Sequence, residues 1–336
     1  MRENVIRLQA YSSARDEFSG EEGIFMDANE NPFGILNRYP DPYQKKLKAT
    51  ISAIKRINEK SIFLGNGSDE IIDLTFRIFC NPGRDKVLIF PPTYGMYEVA
   101  AAINDIEIIR IPLKANFQID MERVRPFFSD KNIKLIFICS PNNPTGNCMD
   151  KEDILSIIKN FRGIVVLDEA YIDFSGSTSF LDIVGKVPNL IVMQTFSKAL
   201  GFAAVRIGMA FTNPDIVHYF NKLKPPYNIS TINQQAALQK LIKVDESKSQ
   251  IIKIKKERER LSANLKKLKI TEIVYPSDAN FLLVKVKNAN YIYDTLVKES
   301  IIVRNRSSVI DNCLRITVGT WSENNKLVNA LKNIAI

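Results

Sequence analysis

The chain has 336 residues, 45% hydrophobic and 25% charged, with a formal charge of +9. This is globular composition, long enough for one large domain and a smaller one. No stretch approaches the roughly 20 apolar residues of a membrane helix, and residues 1–7 are too charged for a signal peptide, so a cytoplasmic protein is expected. Four cysteines without a CxxC pair and a single histidine argue against a zinc site, and no metal is expected.

Residues 1–30 show no core periodicity and read as an arm grouped with the small domain. A large domain is expected over 31–245. Its apolar runs at 86–90, 134–139, 163–167 and 190–194 are continuous rather than alternating, as in strands buried on both faces of a mostly parallel sheet. Helical patterns lie between them, for example at 151–160, so the class is α/β. Residues 246–336 differ. A long charged helix over 246–268 is followed by strand patterns at 281–286, 301–303 and 314–318, a helix near 290–299 and a final helix, which together predict a small α+β domain. The basic surplus is scattered. Its densest run, 253–260, is interleaved with glutamates and predicts a solvated helix face rather than a nucleic-acid surface; attraction of small anions is the other use of such charge. His218 falls in a helical pattern and reads as structural.

Open α/β sheets gather reactive groups in loops beyond the carboxyl ends of strands, and four segments lie at such places. GNGSDE at 65–70 precedes a helical pattern. Ser68 or Asp69 can cap that helix, and free N–H groups there suit a phosphate, although a plain strand-turn-helix junction reads the same way. SPNNPTG at 140–146 is a rigid loop presenting two amides, or simply an ordered turn. In LDEAY at 167–171, Asp168 follows an apolar run. Burial there raises a carboxyl pKa unless a cation pairs with it, yet a strand-end Asp is also a common structural acceptor. In TFSKALG at 195–201, Lys198 follows a buried strand, where desolvation lowers an amine's pKa and makes it a nucleophile for carbonyls. Thr195, Ser197 and Arg206 could together hold a dianionic phosphate. Singly these are ordinary loops. Together they supply the lysine, acid and anion pocket that pyridoxal 5'-phosphate requires.

These segments resemble the fold-type I pyridoxal-phosphate enzymes, in the aminotransferase branch of the aspartate aminotransferase superfamily. The resemblance spans roughly residues 5–334. LQAY at 8–11, DANENP at 27–32, RYP at 38–40, PPTYGMY at 91–97, SPNNPTG, DEAY at 168–171 and CLRITVG at 313–319 narrow it to the histidinol-phosphate aminotransferase family. It implies a large domain on a mostly parallel seven-stranded sheet, a small α+β domain, and a homodimer. It implies that Lys198 binds the cofactor aldehyde and shuttles the proton, that Asp168 pairs with the pyridine nitrogen, and that Asn143 and Tyr171 bond the ring hydroxyl oxygen. Tyr94 is implied to stack on the ring. Ser68, Asp69, Thr195, Ser197 and Arg206 are implied to hold the cofactor phosphate, with Tyr39 lent by the neighbouring subunit. Arg315 resembles the arginine that grips the substrate carboxylate. Tyr11, Asn29 and Arg304 resemble residues around the substrate, Arg304 as a candidate for its phosphate.

The implied substrates are histidinol phosphate with 2-oxoglutarate, or glutamate in reverse. Two features depart from the family pattern: Ala204 stands where a glycine is commoner, and the segment 307–312 is short. Rivals on the same scaffold are an aromatic amino-acid aminotransferase and a threonine-phosphate decarboxylase. A cofactor-binding nucleic-acid regulator is a rival of another class, but no separate DNA-binding module is legible.

Overall fold

The computed structural model describes residues 1–10 and 23–334; Tyr11 lies outside them. Seven strands form the large sheet: β1 (Ile62–Asn66), β2 (Lys86–Ile89), β3 (Glu107–Arg110), β4 (Ile133–Cys139), β5 (Ile164–Asp168), β6 (Leu190–Thr195) and β7 (Ile207–Thr212). Their order is β1-β7-β6-β5-β4-β2-β3, parallel except for β7, which runs antiparallel to both neighbours. Side-chain alternation divides each central strand between two cores. Ile136 and Ile138 of β4 pack with Val192 of β6 on one face, whereas Leu135 and Phe137 pack with Ile191 and Met193 on the other. That two-sided burial is why these strands read as unbroken apolar runs.

Helices cover both faces. The helix Ser68–Phe79 buries Ile71, Ile72, Phe76 and Phe79. The helix Lys151–Asn160 starts at Asp150, whose carboxylate accepts from the Glu152 and Asp153 N–H groups. A second, antiparallel sheet of order β10-β11-β9-β8 combines β8 (Thr271–Val274), β9 (Phe281–Val286), β10 (Arg304–Asn305) and β11 (Cys313–Thr317). It shares its own core with the helices Val244–Leu265, Ala289–Lys298 and Trp321–Lys332. Loops of the two units are tied together: the Asp278 N–H donates to Gly146 O at 2.7 Å, and the Cys148 N–H to the Asp278 carboxylate at 3.0 Å.

Two expectations are corrected. The strand read at 301–303 falls instead on Arg304–Asn305, because Ser300 turns left-handed (φ +59°) and the Ile301 N–H closes back onto Leu296 O. The first helix, Glu3–Arg7, grouped from sequence with the small domain, packs on the large one: the Arg2 N–H donates to Ile78 O and Lys222 Nζ to Ile6 O. Among the described residues no helix is long and apolar enough to cross a membrane.

Candidate active site

The reversal of β7 sets the site. It brings the start of β7 beside the ends of β6 and β1, with Gly208 opposite both Thr195 and Gly65. There, a cavity of about 260 Å³ is lined by Ser68, Asp69, Tyr94, Asn143, Asp168, Tyr171, Thr195, Ser197, Lys198, Arg206 and Arg315. All but Arg315, which comes from β11, lie around the strand ends of the large sheet: Asp168 and Thr195 close β5 and β6, Ser68 and Asp69 open the helix after β1, and the rest lie in the connecting segments.

Asp168 ends β5 and is only 3% exposed. Tyr97 Oη donates to its Oδ2 at 2.7 Å and the Ala170 N–H to its Oδ1 at 3.0 Å. Burial raises the carboxyl's pKa, and those two hydrogen bonds oppose the rise. Lys198 follows β6, with its Nζ 5.6 Å from the Tyr171 ring centroid. The residue as a whole is exposed in the single chain, yet the protein around its amine desolvates it. That desolvation, and next the charge of Arg315, hold the amine below the ordinary lysine range against the attraction of Asp168.

An anion cradle lies beside the amine. The helix Ser68–Phe79 begins at Gly67 with no side-chain cap. The expectation that Ser68 or Asp69 caps it is therefore corrected. The Asp69 carboxylate instead accepts from Tyr94 Oη at 3.1 Å and lies 3.9 Å from Arg206 Nη2. A Cβ on Gly67 would stand 2.7 Å from Arg206 Nη2, and one on Gly208 would stand 2.5 Å from the Ser68 nitrogen. Uncapped N–H groups at a helix start, an adjacent guanidinium and two places where a side chain would fill the hollow make a site for a phosphate group. Together with the amine and the buried carboxyl, this fits pyridoxal phosphate. Thr195 Oγ1 accepts from the Ser197 N–H and donates to Ile207 O, which pins the turn presenting Ser197 and Lys198. Ala204 sits exposed in the short 3-10 turn Ala203–Val205. The left-handed residue is Arg206 itself (φ +51°).

Arg315 reaches across from the small sheet and donates to Asn143 Oδ1. Asn143 Nδ2 in turn lies 3.5 Å from Tyr171 Oη. Burial depresses the Arg315 pKa, opposed by the Tyr171 phenol. Arg304 pairs with Arg315 across the β10–β11 ladder but does not line the cavity. Tyr39 and Asn29 lie apart, around a second cavity of about 450 Å³, with the Tyr39 ring stacked on Tyr227 at 4.5 Å. Sequence reasoning assigned Tyr97 no role, although its bond to Asp168 is among the shortest polar contacts here. The available signal was its place three residues after Tyr94, entering the helix Met96–Ile103.

Comparison with known proteins fits this geometry. Residues 22–331 match the model of the family "Aminotransferase class I and II", and the chain belongs to that family. A histidinol-phosphate aminotransferase of Parabacteroides distasonis is 52% identical over 100% of this chain and 98% of its own. The crystal structure of the histidinol-phosphate aminotransferase from Clostridium acetobutylicum superposes with a TM-score of 0.82 at 28% identity, covering 91% of this chain and 97% of that one. The enzyme of the same name from Sinorhizobium meliloti, solved in complex with pyridoxal-5'-phosphate, gives 0.80 at 25% identity, covering 91% and 89%. Within the class, this chain is a member of the histidinol-phosphate aminotransferase family.

Proposed function

We propose that the chain uses pyridoxal 5'-phosphate to exchange an amino group between histidinol phosphate and 2-oxoglutarate, giving imidazole acetol phosphate and glutamate. The observation that carries this reading is the opening of one desolvated amine, Lys198, and one buried carboxyl, Asp168, onto a single anion-cradled cavity. When bound, the cofactor supplies an aldehyde and a conjugated ring whose cationic nitrogen accepts the electron pair left by a broken Cα–H bond.

The residues divide the remaining work. Asp168 stays anionic beside a ring cation, steadied by the Tyr97 hydroxyl. Lys198 Nζ holds the cofactor, then takes the substrate Cα proton as base and returns it as acid. Arg206, Ser197, Thr195 and the Ser68 and Asp69 N–H groups hold the cofactor phosphate. Asn143 and Tyr171 bond the ring oxygen, and Tyr94 flanks the ring. Arg315 meets the substrate's anionic end with Arg304 beyond it. The large domain, 31–245, thus holds the cofactor, and the small one, 246–336, supplies Arg304 and Arg315.

A homodimer belongs to this reading. Ile24, Met26, Phe33 and Ile35 are each more than 80% exposed, a run of apolar surface adjoining Tyr39 that suits a protein partner. A second copy would cover it and lend Tyr39 to this site. Light scattering is expected to give twice the 38.1 kDa of one chain; a monomer at working concentration would remove Tyr39 from the site.

The deciding experiment for the chemistry is borohydride reduction of the holoenzyme followed by peptide mass spectrometry. The cofactor mass is expected on Lys198, and its absence would end this reading. A substrate panel separates the rivals: turnover of phenylalanine or threonine phosphate without turnover of histidinol phosphate would overturn the substrate assignment.

A further inference from the structure

The loop 140–148 is held at two points by the unit built on the small sheet. At one, inside the cavity, Arg315 donates to Asn143 Oδ1. At the other, outside the cavity lining, Asp278 grips the loop twice. Its N–H donates to Gly146 O at 2.7 Å, and its carboxylate accepts from the Cys148 N–H at 3.0 Å. The loop is shaped for this grip. The Gly146 N–H closes onto Asn142 O and the Asn142 N–H onto Asn147 O, so the segment that carries Asn143 is internally braced. Gly146 is left-handed (φ +87°), and a Cβ there would stand 2.6 Å from Ser277 Oγ. Glycine thus lets the residue before Asp278 come against the loop.

A short, stiff route leads from this grip to Arg315. Ser277 Oγ donates to Phe281 O at 2.6 Å and accepts from the Ala279 N–H at 3.1 Å, which folds 277–281 into a tight turn entering β9. Two residues further on, Leu283 pairs with Arg315 of β11. The Val318 N–H donates to Asn280 O and ties the end of β11 to the same turn. The Phe281 ring stands edge-on to Tyr171 at 5.2 Å, and the Arg315 guanidinium lies 5.4 Å from its centroid. Arg258 Nη1 donates to Ala279 O at 2.7 Å and to Phe174 O at 3.3 Å, bracing the turn against the large unit. Ala279 and Phe281 share a small core with Tyr171 and with Ala199, the neighbour of Lys198.

We propose that Asp278 is a positioning residue for substrate recognition: its carboxylate clasps the loop 140–148 and so sets Arg315 in place against Asn143. The inference rests on the reading of the site given above, in which Arg315 meets the substrate's anionic end, and deepens it. Arg315 and Asn143 come from different units yet serve one substrate, and a misplacement of about 1 Å can cost about a hundredfold in rate. A carboxylate bonded to a backbone N–H is stronger than a neutral pair, which suits it to fixing that distance. Asp278 does not line the cavity, so it acts through Arg315. Lys198, Asp168 and the anion cradle all belong to the large unit, so cofactor binding does not depend on the clasp.

The test separates recognition from folding. In the holoenzyme, Asp278→Ala deletes the carboxylate and keeps the backbone bond. KM in the glutamate half-reaction is expected to rise about tenfold, with kcat and cofactor retention changed less than about threefold. Asp278→Asn, whose amide oxygen can accept from the same N–H, should recover most of the loss. Because the effect runs through Arg315, Asp278→Ala in an Arg315→Gln background should raise KM by less than about threefold. An unchanged KM in Asp278→Ala, a parallel loss of kcat and cofactor retention, or full additivity with Arg315→Gln would overturn the proposal. Should Asp278→Ala fail to fold, Asp278→Glu, which shifts the acceptor by one methylene, carries the same KM and additivity tests. Succinate, a dicarboxylate with no amino or keto group to exchange, supplies a binding arm. The thermal shift it gives the wild-type holoenzyme should shrink in Asp278→Ala, and an equal shift would count against the clasp. Failure of the wild type to turn over histidinol phosphate would instead overturn the functional reading, and the succinate arm would still judge Asp278.

Discussion

Tyr97 is fully buried, stacked on Phe137 at 4.7 Å, and spends its hydroxyl on Asp168. Replacing it by Phe keeps the stacked ring and deletes only the donor. Tyr97→Phe is expected to push the Asp168 carboxyl further up and to cost about 1–3 kcal/mol at the unpaired oxygen. The expected readout is a fall of about tenfold in kcat with weaker cofactor retention, measured by turnover and by cofactor titration of the apoprotein. Lys198 offers a pH test. Its amine is depressed by desolvation and next by Arg315, so its uncharged form persists to lower pH than in a surface lysine. Arg315→Gln removes that second influence and should move the pH midpoint of cofactor capture upward; an unmoved midpoint would show that Arg315 does not act on the amine. Lys198, Asp168 and Asn143 were legible in sequence because each sits at a loop after a strand, in an order one cofactor explains. Tyr97 was not, because nothing in a helical pattern says which distant carboxyl a tyrosine will meet.

Helix starts and strand ends carry the next level. Gly208 lets the backbone of β7 pass under the first turn of the helix Ser68–Phe79, and a Cβ there would stand 2.5 Å from a backbone nitrogen that has no room to yield. Gly208→Ala is expected to destabilise the fold by about 1–3 kcal/mol and to weaken phosphate retention, read by melting and by cofactor release. Gly95→Ala is the control: its Cβ would meet nothing within 4 Å and its φ is −65°, so a change within about 0.5 kcal/mol is expected. The strands around the site were legible because burial on both faces leaves an unbroken apolar signature. The cap of the helix Ser68–Phe79 was not. Ser68 and Asp69 have the right chemistry for a cap, but Arg206 and Tyr94, from other parts of the chain, engage Asp69 instead.

At the scale of the molecule, the +9 charge includes cations that the fold buries. Lys48, on the helix Lys45–Lys55, is 8% exposed, and Lys224 is 6% exposed. Burial, and next the charge of Lys224, push the Lys48 amine down to about 8 from its usual 10.5. Between those values the unfolded chain binds more protons than the folded one, so stability rises with pH across that window and the full penalty is felt below about 8. At pH 7 the penalty is about 3 kcal/mol. Lys48→Met should therefore melt higher than the wild type at pH 7, with the gain shrinking toward pH 10.5. A gain independent of pH would place its cause in packing alone. The apolar run around Ile35 shows the same limit of single-sequence reading. Its residues carry no helix or strand period, and among the described residues no element covers them. The single strand that runs against its neighbours has a consequence for engineering. Lys198 and Arg206 occupy one hairpin connection, residues 196–206, entered from β6 and left into β7. Lys198 and Arg206 therefore travel as one cassette: lengthening that connection by a single residue would displace both from Asp168 at once, whereas insertions in 81–85 or 161–163, which enter β2 and β5 at the opposite end of the sheet, would leave their spacing intact.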